Sequence, residues 1–124
     1  MSKVAKILCI TGSALLLVMA GFHGSGYFYV RDRILASDAD DFLKDILPVL
    51  FAHPSIHLIG LSAFGILSIF TTQPVRLLLF LLALVILADA VLAFSLGGYL
   101  PGAMLVAAAL CFVIAGFNTA LVTK

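Results

Sequence analysis

Four apolar stretches, over residues 7–30, 46–70, 77–96 and 101–122, fill most of this 124-residue chain. Each is long enough, at about 20 residues, for a helix that crosses the hydrocarbon core of a bilayer. Water cannot satisfy backbone N–H and C=O groups in that medium, so such a run must close its own hydrogen bonds as a helix. The composition, 64% hydrophobic and 10% charged, agrees with this. Together they predict an all-α integral membrane protein, an up-down bundle of four transmembrane helices with short loops. Residues 1–124 then form a single membrane domain with no room for a soluble one. A net charge of +1 without a basic patch gives no footing for nucleic acid. The lipid bilayer is the partner that the composition requires.

The breaks between stretches have recognisable chemistry. Thr71, Thr72, Gln73 and Pro74 make one short polar break, and Gly97, Gly98 and Tyr99 make another. Pro74 and Pro101 stand where a starting helix tolerates a missing N–H. Connections this short are expected to make the second, third and fourth helices antiparallel neighbours. The link over residues 31–45 is longer and polar. Its Ser37, Asp38, Asp40 and Asp41 suit a helix N-terminus, so the second helix is expected to start near Asp40. Lys3 and Lys6 precede a first stretch whose apolar run exceeds a signal core of about 7–15 residues, and this stretch is therefore read as retained. Lys3, Lys6, Arg76 and Lys124 fall on one side of the membrane, and Arg31, Arg33 and Lys44 on the other. That small excess places both termini in the cytoplasm and the 31–45 link outside. Tyr27, Phe28 and Tyr29 fit an aromatic belt at the outer interface.

Three of the stretches carry ionisable side chains: His23 in the first, His53 and His57 in the second, and Asp89 in the third. Such groups are costly in hydrocarbon unless paired or set in a wet cavity, which makes all four candidate ligand or metal-binding residues. The chain has no Glu, so Asp89 is the only acid within a predicted span. At about 1.5 Å per residue, His23 and His53 fall about 10 Å, and Asp89 about 12 Å, from the outer surface. His57 is one turn deeper than His53 on the same helix face, which Gly60, Phe64 and Ser68 continue. Pro48 and Pro54 interrupt the hydrogen bonding of that helix, predicting a kink by which His53 meets His23 and Asp89.

Polar groups at this depth also act as helix glue, worth about 0.6 kcal/mol on average. Asn118 is read in that role. Small residues permit close packing, here Gly60 on the second helix and Gly102, Ala103, Ala107, Ala115, Gly116 and Ala120 on the fourth. Residues 77–87 read as a lipid-facing wall, and Cys9 and Cys111 as free thiols at different depths. The features favour a non-enzymatic accessory or assembly component without a cofactor, a homo-oligomer or the companion of another membrane protein. Two readings stand beside it. One is a redox module in which the histidines hold haem, quinone or a transition metal and Asp89 orients a ring nitrogen. A metal there needs neutral imidazoles and is lost on acidification. The other is an oligomeric proton- or cation-coupled transporter or channel. Reporter fusions at Lys124 and near Ser37 are expected to report opposite compartments, with Lys124 on the side of the N-terminus. Termini in different compartments would rule out an even number of spans.

Overall fold

A computed structural model of the chain describes residues 1–119. Ala120 and Lys124, assigned above to helix packing and to the cytoplasmic side, lie outside the described residues. The elements are α1 (Lys3–Ser25), α2 (Tyr27–Leu35), α3 (Asp41–Leu67), α4 (Arg76–Ser95) and α5 (Tyr99–Phe117), and no strand occurs among the described residues. With α1 and α2 forming one path, four helices are long and apolar enough to cross a membrane. A four-helix bundle fits them.

Local chemistry accounts for the helix ends. Ser2 caps α1 by accepting from the Ala5 N–H at 3.1 Å, and Asp40 caps α3 by accepting from the Leu43 N–H at 2.9 Å. At the end of α4, Gly97 takes a φ of 78°, a left-handed conformation that glycine adopts without steric cost. The following N–H groups then turn back, Gly98 to the Ala93 carbonyl at 2.8 Å and Gly97 to that of Phe94 at 3.0 Å. The 31–45 region is more helical than expected. α2 continues to Leu35 because no glycine or proline intervenes after Gly26, and only residues 36–40 separate it from α3. α3 itself runs through both Pro48 and Pro54.

The core lies where α1, α3 and α5 converge on Phe112, which is fully buried. A Cβ on Gly12 would stand 3.0 Å from the Phe112 ring, and one on Gly65 would meet the Ser13 hydroxyl first and then the ring at 2.7 Å. A side chain at Gly65 would displace both. Next to it, the Ser13 hydroxyl donates to the Ser62 carbonyl at 3.1 Å and the Ser62 hydroxyl donates to the Ser13 carbonyl at 3.0 Å. α4 joins through α5 by the same device: Phe94 fills the space over Gly102, and Phe80 the space over Gly116.

Gly60 and Ala103 face outward, away from the other described helices, and nothing lies within 4 Å of a Cβ on Gly60. Several other expectations are corrected by this arrangement. Asn118 donates to the Ile114 carbonyl of its own helix at 2.8 Å and bonds no neighbouring helix among the described residues. Residues 77–87 are only half a wall, since Leu79, Leu82, Ala83 and Ile86 are buried while Leu77, Leu81 and Leu84 are exposed. α3 and α4 are consecutive but touch only sparsely. Leu61, Phe64, Leu78 and Leu81 line a cleft of about 190 Å³ between them, and these bulky side chains offer no flat approach for a backbone. Cys9 and Cys111 are free. The outer surface is strongly apolar, with Leu77, Phe70 and Ile56 each more than two-thirds exposed, which is compatible with a multi-pass membrane protein.

The contrast between the glycines is testable by unfolding in mixed micelles. Gly65→Ala is expected to cost about 1–3 kcal/mol through overpacking. Gly60→Ala, in open space, is expected to be neutral or stabilising by up to about 1 kcal/mol. Equal effects at the two positions would remove Phe112 insertion as the organising contact.

Candidate functional site

The polar residues gather at the end of the bundle where α1 gives way to α2. Gly24 and Gly26 allow the last turn of α1 to come close to α3, with Ser55 and the Phe51 ring each 3.4 Å from where their Cβ atoms would be. His23 thereby reaches the Phe51 carbonyl, 2.8 Å from its Nε2, and its ring stacks on that of Phe51 at 4.4 Å. A carbonyl only accepts, so the proton is on Nε2. The carbonyl belongs to the turn before Pro54, where the proline has no N–H to give to Leu50. Ser55, one turn after Phe51, has a buried hydroxyl with no partner among the described residues. Its usual acceptor in a helix is the carbonyl four residues back, which His23 engages here.

Across the sparse α3–α4 seam, His57 Nε2 and Asp89 Oδ2 stand 3.1 Å apart, the side chains 36% and 26% exposed. Among the described residues this is the only hydrogen bond joining α3 to α4. The other carboxylate oxygen of Asp89 makes no hydrogen bond with them.

His53 does not take the place expected of it. It is exposed, and its ring lies nearly parallel to that of His57 at 6.3 Å. The partner of Asp89 is His57, one turn further along α3. The physical reason is helix phase: Leu58, Leu61 and Ser62 define the inward face of α3, and His57 borders that face while His53 is carried away from it.

His23, His57 and Asp89 line one cavity of about 350 Å³. Its remaining walls are apolar, from Met19 on α1, Pro54 and Leu58 on α3, Leu92 on α4 and Leu105 on α5. The site thus joins an oily enclosure to a small polar edge. Among the described residues no three His, Cys, Asp or Glu side chains are disposed to hold one metal ion. His23 also has its Nε2 committed to a carbonyl, which leaves only Nδ1 for any ligand.

Gly12, Ser13, Ser62 and Gly65, which set the spacing of α1, α3 and α5, were not singled out by the sequence reading. Their one signal is a pair of small residues in each of two long apolar runs. Ser55 was also missed, and nothing local marks it. Comparison with protein families, with curated proteins and with solved structures finds no match.

The His57–Asp89 contact can be measured with a double-mutant cycle in mixed micelles. Non-additivity of about 0.6–1.7 kcal/mol between His57→Leu and Asp89→Leu is expected. The double variant should be more stable than His57→Leu alone, which leaves a carboxyl without its partner. Simple additivity would mean that the pair contributes nothing across the seam.

Proposed function

We propose that the chain is a non-enzymatic membrane protein that binds a small, largely apolar molecule between its helices, the head of that molecule resting against His57 and Asp89. The observation that carries this is the cavity of about 350 Å³, whose walls are apolar except where His23, His57 and Asp89 converge. Sites for small molecules have this composition, with volumes of about 300–1,000 Å³ and few polar groups. Inside a bilayer the pair is an intramembrane histidine and carboxyl, costly groups whose presence a bound ligand would explain. With both termini cytoplasmic, as the basic residues favour, the cavity is in the outer half of the membrane. A molecule dissolved in lipid reaches it along the sparse seam between α3 and α4.

An assembly subunit is the second reading, favoured by the outward-facing Gly60 and Ala103 and by the cleft at Leu61 and Phe64. A second copy or a partner helix seated there would make the chain an accessory component, as small residues on a lipid-exposed face permit.

The chain has no Trp, so a single introduced indole reports alone. Leu96 is at the rim of the cavity and is 87% exposed. In phosphatidylcholine nanodiscs, the emission of Leu96→Trp is expected to change saturably with at least one of four probes: dodecylammonium, dodecanol, dodecanoate and decylbenzoquinone. Adding Ala93→Phe, which fills the cavity, should abolish saturation, and Leu84→Trp on the outer face should show only unsaturable partitioning. Failure of all four probes to saturate the rim reporter would overturn the binding reading in favour of assembly.

A further inference from the structure

Resting on the binding reading above, we infer that the site takes a lipophilic amine, a protonated ammonium head with N–H donors held by Asp89 and an apolar tail lying within the cavity.

Donor and acceptor accounting carries the head group. The Nε2–H of His23 is spent on the Phe51 carbonyl, so in the neutral ring only an acceptor, Nδ1, remains. The proton between His57 and Asp89 is likewise spent within the pair. If His57 donates it, the carboxylate keeps Oδ1 as an acceptor. If the carboxyl donates it through Oδ2, Oδ1 is its carbonyl oxygen and again an acceptor, while His57 Nδ1 then carries the ring N–H. Oδ1 has no protein donor among the described residues. In either case Oδ1 is an acceptor, and it calls for a ligand that donates.

Charge narrows the class further. Asp89 is the only acid lining the cavity, and neither Lys nor Arg lines it. A carboxylate or phosphate head would meet an acid with no Lys or Arg to offset it, and quinone carbonyls are acceptors facing an Oδ1 that also accepts. An alcohol donates to Oδ1 as a neutral group. An ammonium group donates with a charge of its own, and hydrogen bonds in which a partner is charged are the stronger kind.

The tail follows from the cavity walls. Met19, Leu58, Leu92 and Leu105 surround the polar edge with apolar surface, which an alkyl chain attached to the ammonium group covers.

The test uses the Leu96→Trp protein in phosphatidylcholine nanodiscs, titrated with dodecylammonium, dodecyltrimethylammonium, dodecanol, dodecanoate and decylbenzoquinone. Dodecylammonium is expected to saturate the reporter and the other four to bind at least about tenfold more weakly, the trimethyl analogue because it has charge but no N–H. Asp89→Asn should weaken dodecylammonium at least about tenfold. Dodecylammonium should also bind the same reporter at least about tenfold more tightly than methylammonium, which lacks the tail. Equal or tighter binding of any other head, or an unchanged affinity in Asp89→Asn, would overturn the amine assignment and leave the binding reading standing. Saturation by none of the probes would overturn both. Should Asp89→Asn not fold, the ranking of heads on the parent reporter decides the question by itself.

Discussion

The insertion of the Phe112 ring between Gly12 and Gly65 sets the distances on which the rest of the bundle depends. Helices surrounded by acyl chains gain little from hiding apolar side chains from one another, so close van der Waals contact and hydrogen bonding must hold them. Two glycines facing one aromatic ring supply the contact. The reciprocal bonds between Ser13 and Ser62 supply the rest, and each serine reaches the backbone of the opposite helix only because the glycines bring the helices close.

That junction accounts for the asymmetry of the fold. α5 is bound to α1 by Phe112 and to α4 by Phe80 over Gly116 and Phe94 over Gly102. α4 is therefore held by α5 and needs no contact with α3. The seam left between α3 and α4 has bulky residues on both sides and a single hydrogen bond across it, between His57 and Asp89. Packing strength and chemical capacity are thus in different parts of the molecule.

Much of the architecture was legible in the sequence, for reasons that also mark where legibility stopped. Long apolar runs are forced into helices by backbone hydrogen bonding, so the four spans followed directly. Asp40 at a helix start and Gly97 at a helix end are local stereochemistry and were equally readable. Which face of each helix turns inward was not. In a soluble protein polar residues mark the outer face, but here Leu84 and Leu79, on opposite sides of α4, are the same residue type. Gly102 and Gly116 were readable as packing glycines and meet Phe94 and Phe80, whereas nothing marked Gly12 and Gly65. His53 and His57 were both candidates, and which of them reaches Asp89 was not readable, because the phase of α3 is fixed by Ser62 and Gly65 against α1 and not by anything near the histidines. The α3–α4 seam was unreadable because a short connection fixes direction but not intimacy of packing.

His23 and the His57–Asp89 pair appear equivalent as ionisable groups in apolar stretches, yet their bonding separates them. His23 donates to a backbone carbonyl of the neighbouring helix, that of Phe51, on whose ring its own is stacked, and so ties α1 to α3 within the fold. No comparable backbone need is met by Asp89. Its one partner is a side chain on a helix that its own helix hardly touches, and its second oxygen is uncommitted. A leucine there would pack against the same neighbours without the desolvation cost of a carboxyl. His23 thus serves the backbone of the fold, whereas Asp89 joins two side chains across a seam that is otherwise apolar and keeps one oxygen uncommitted.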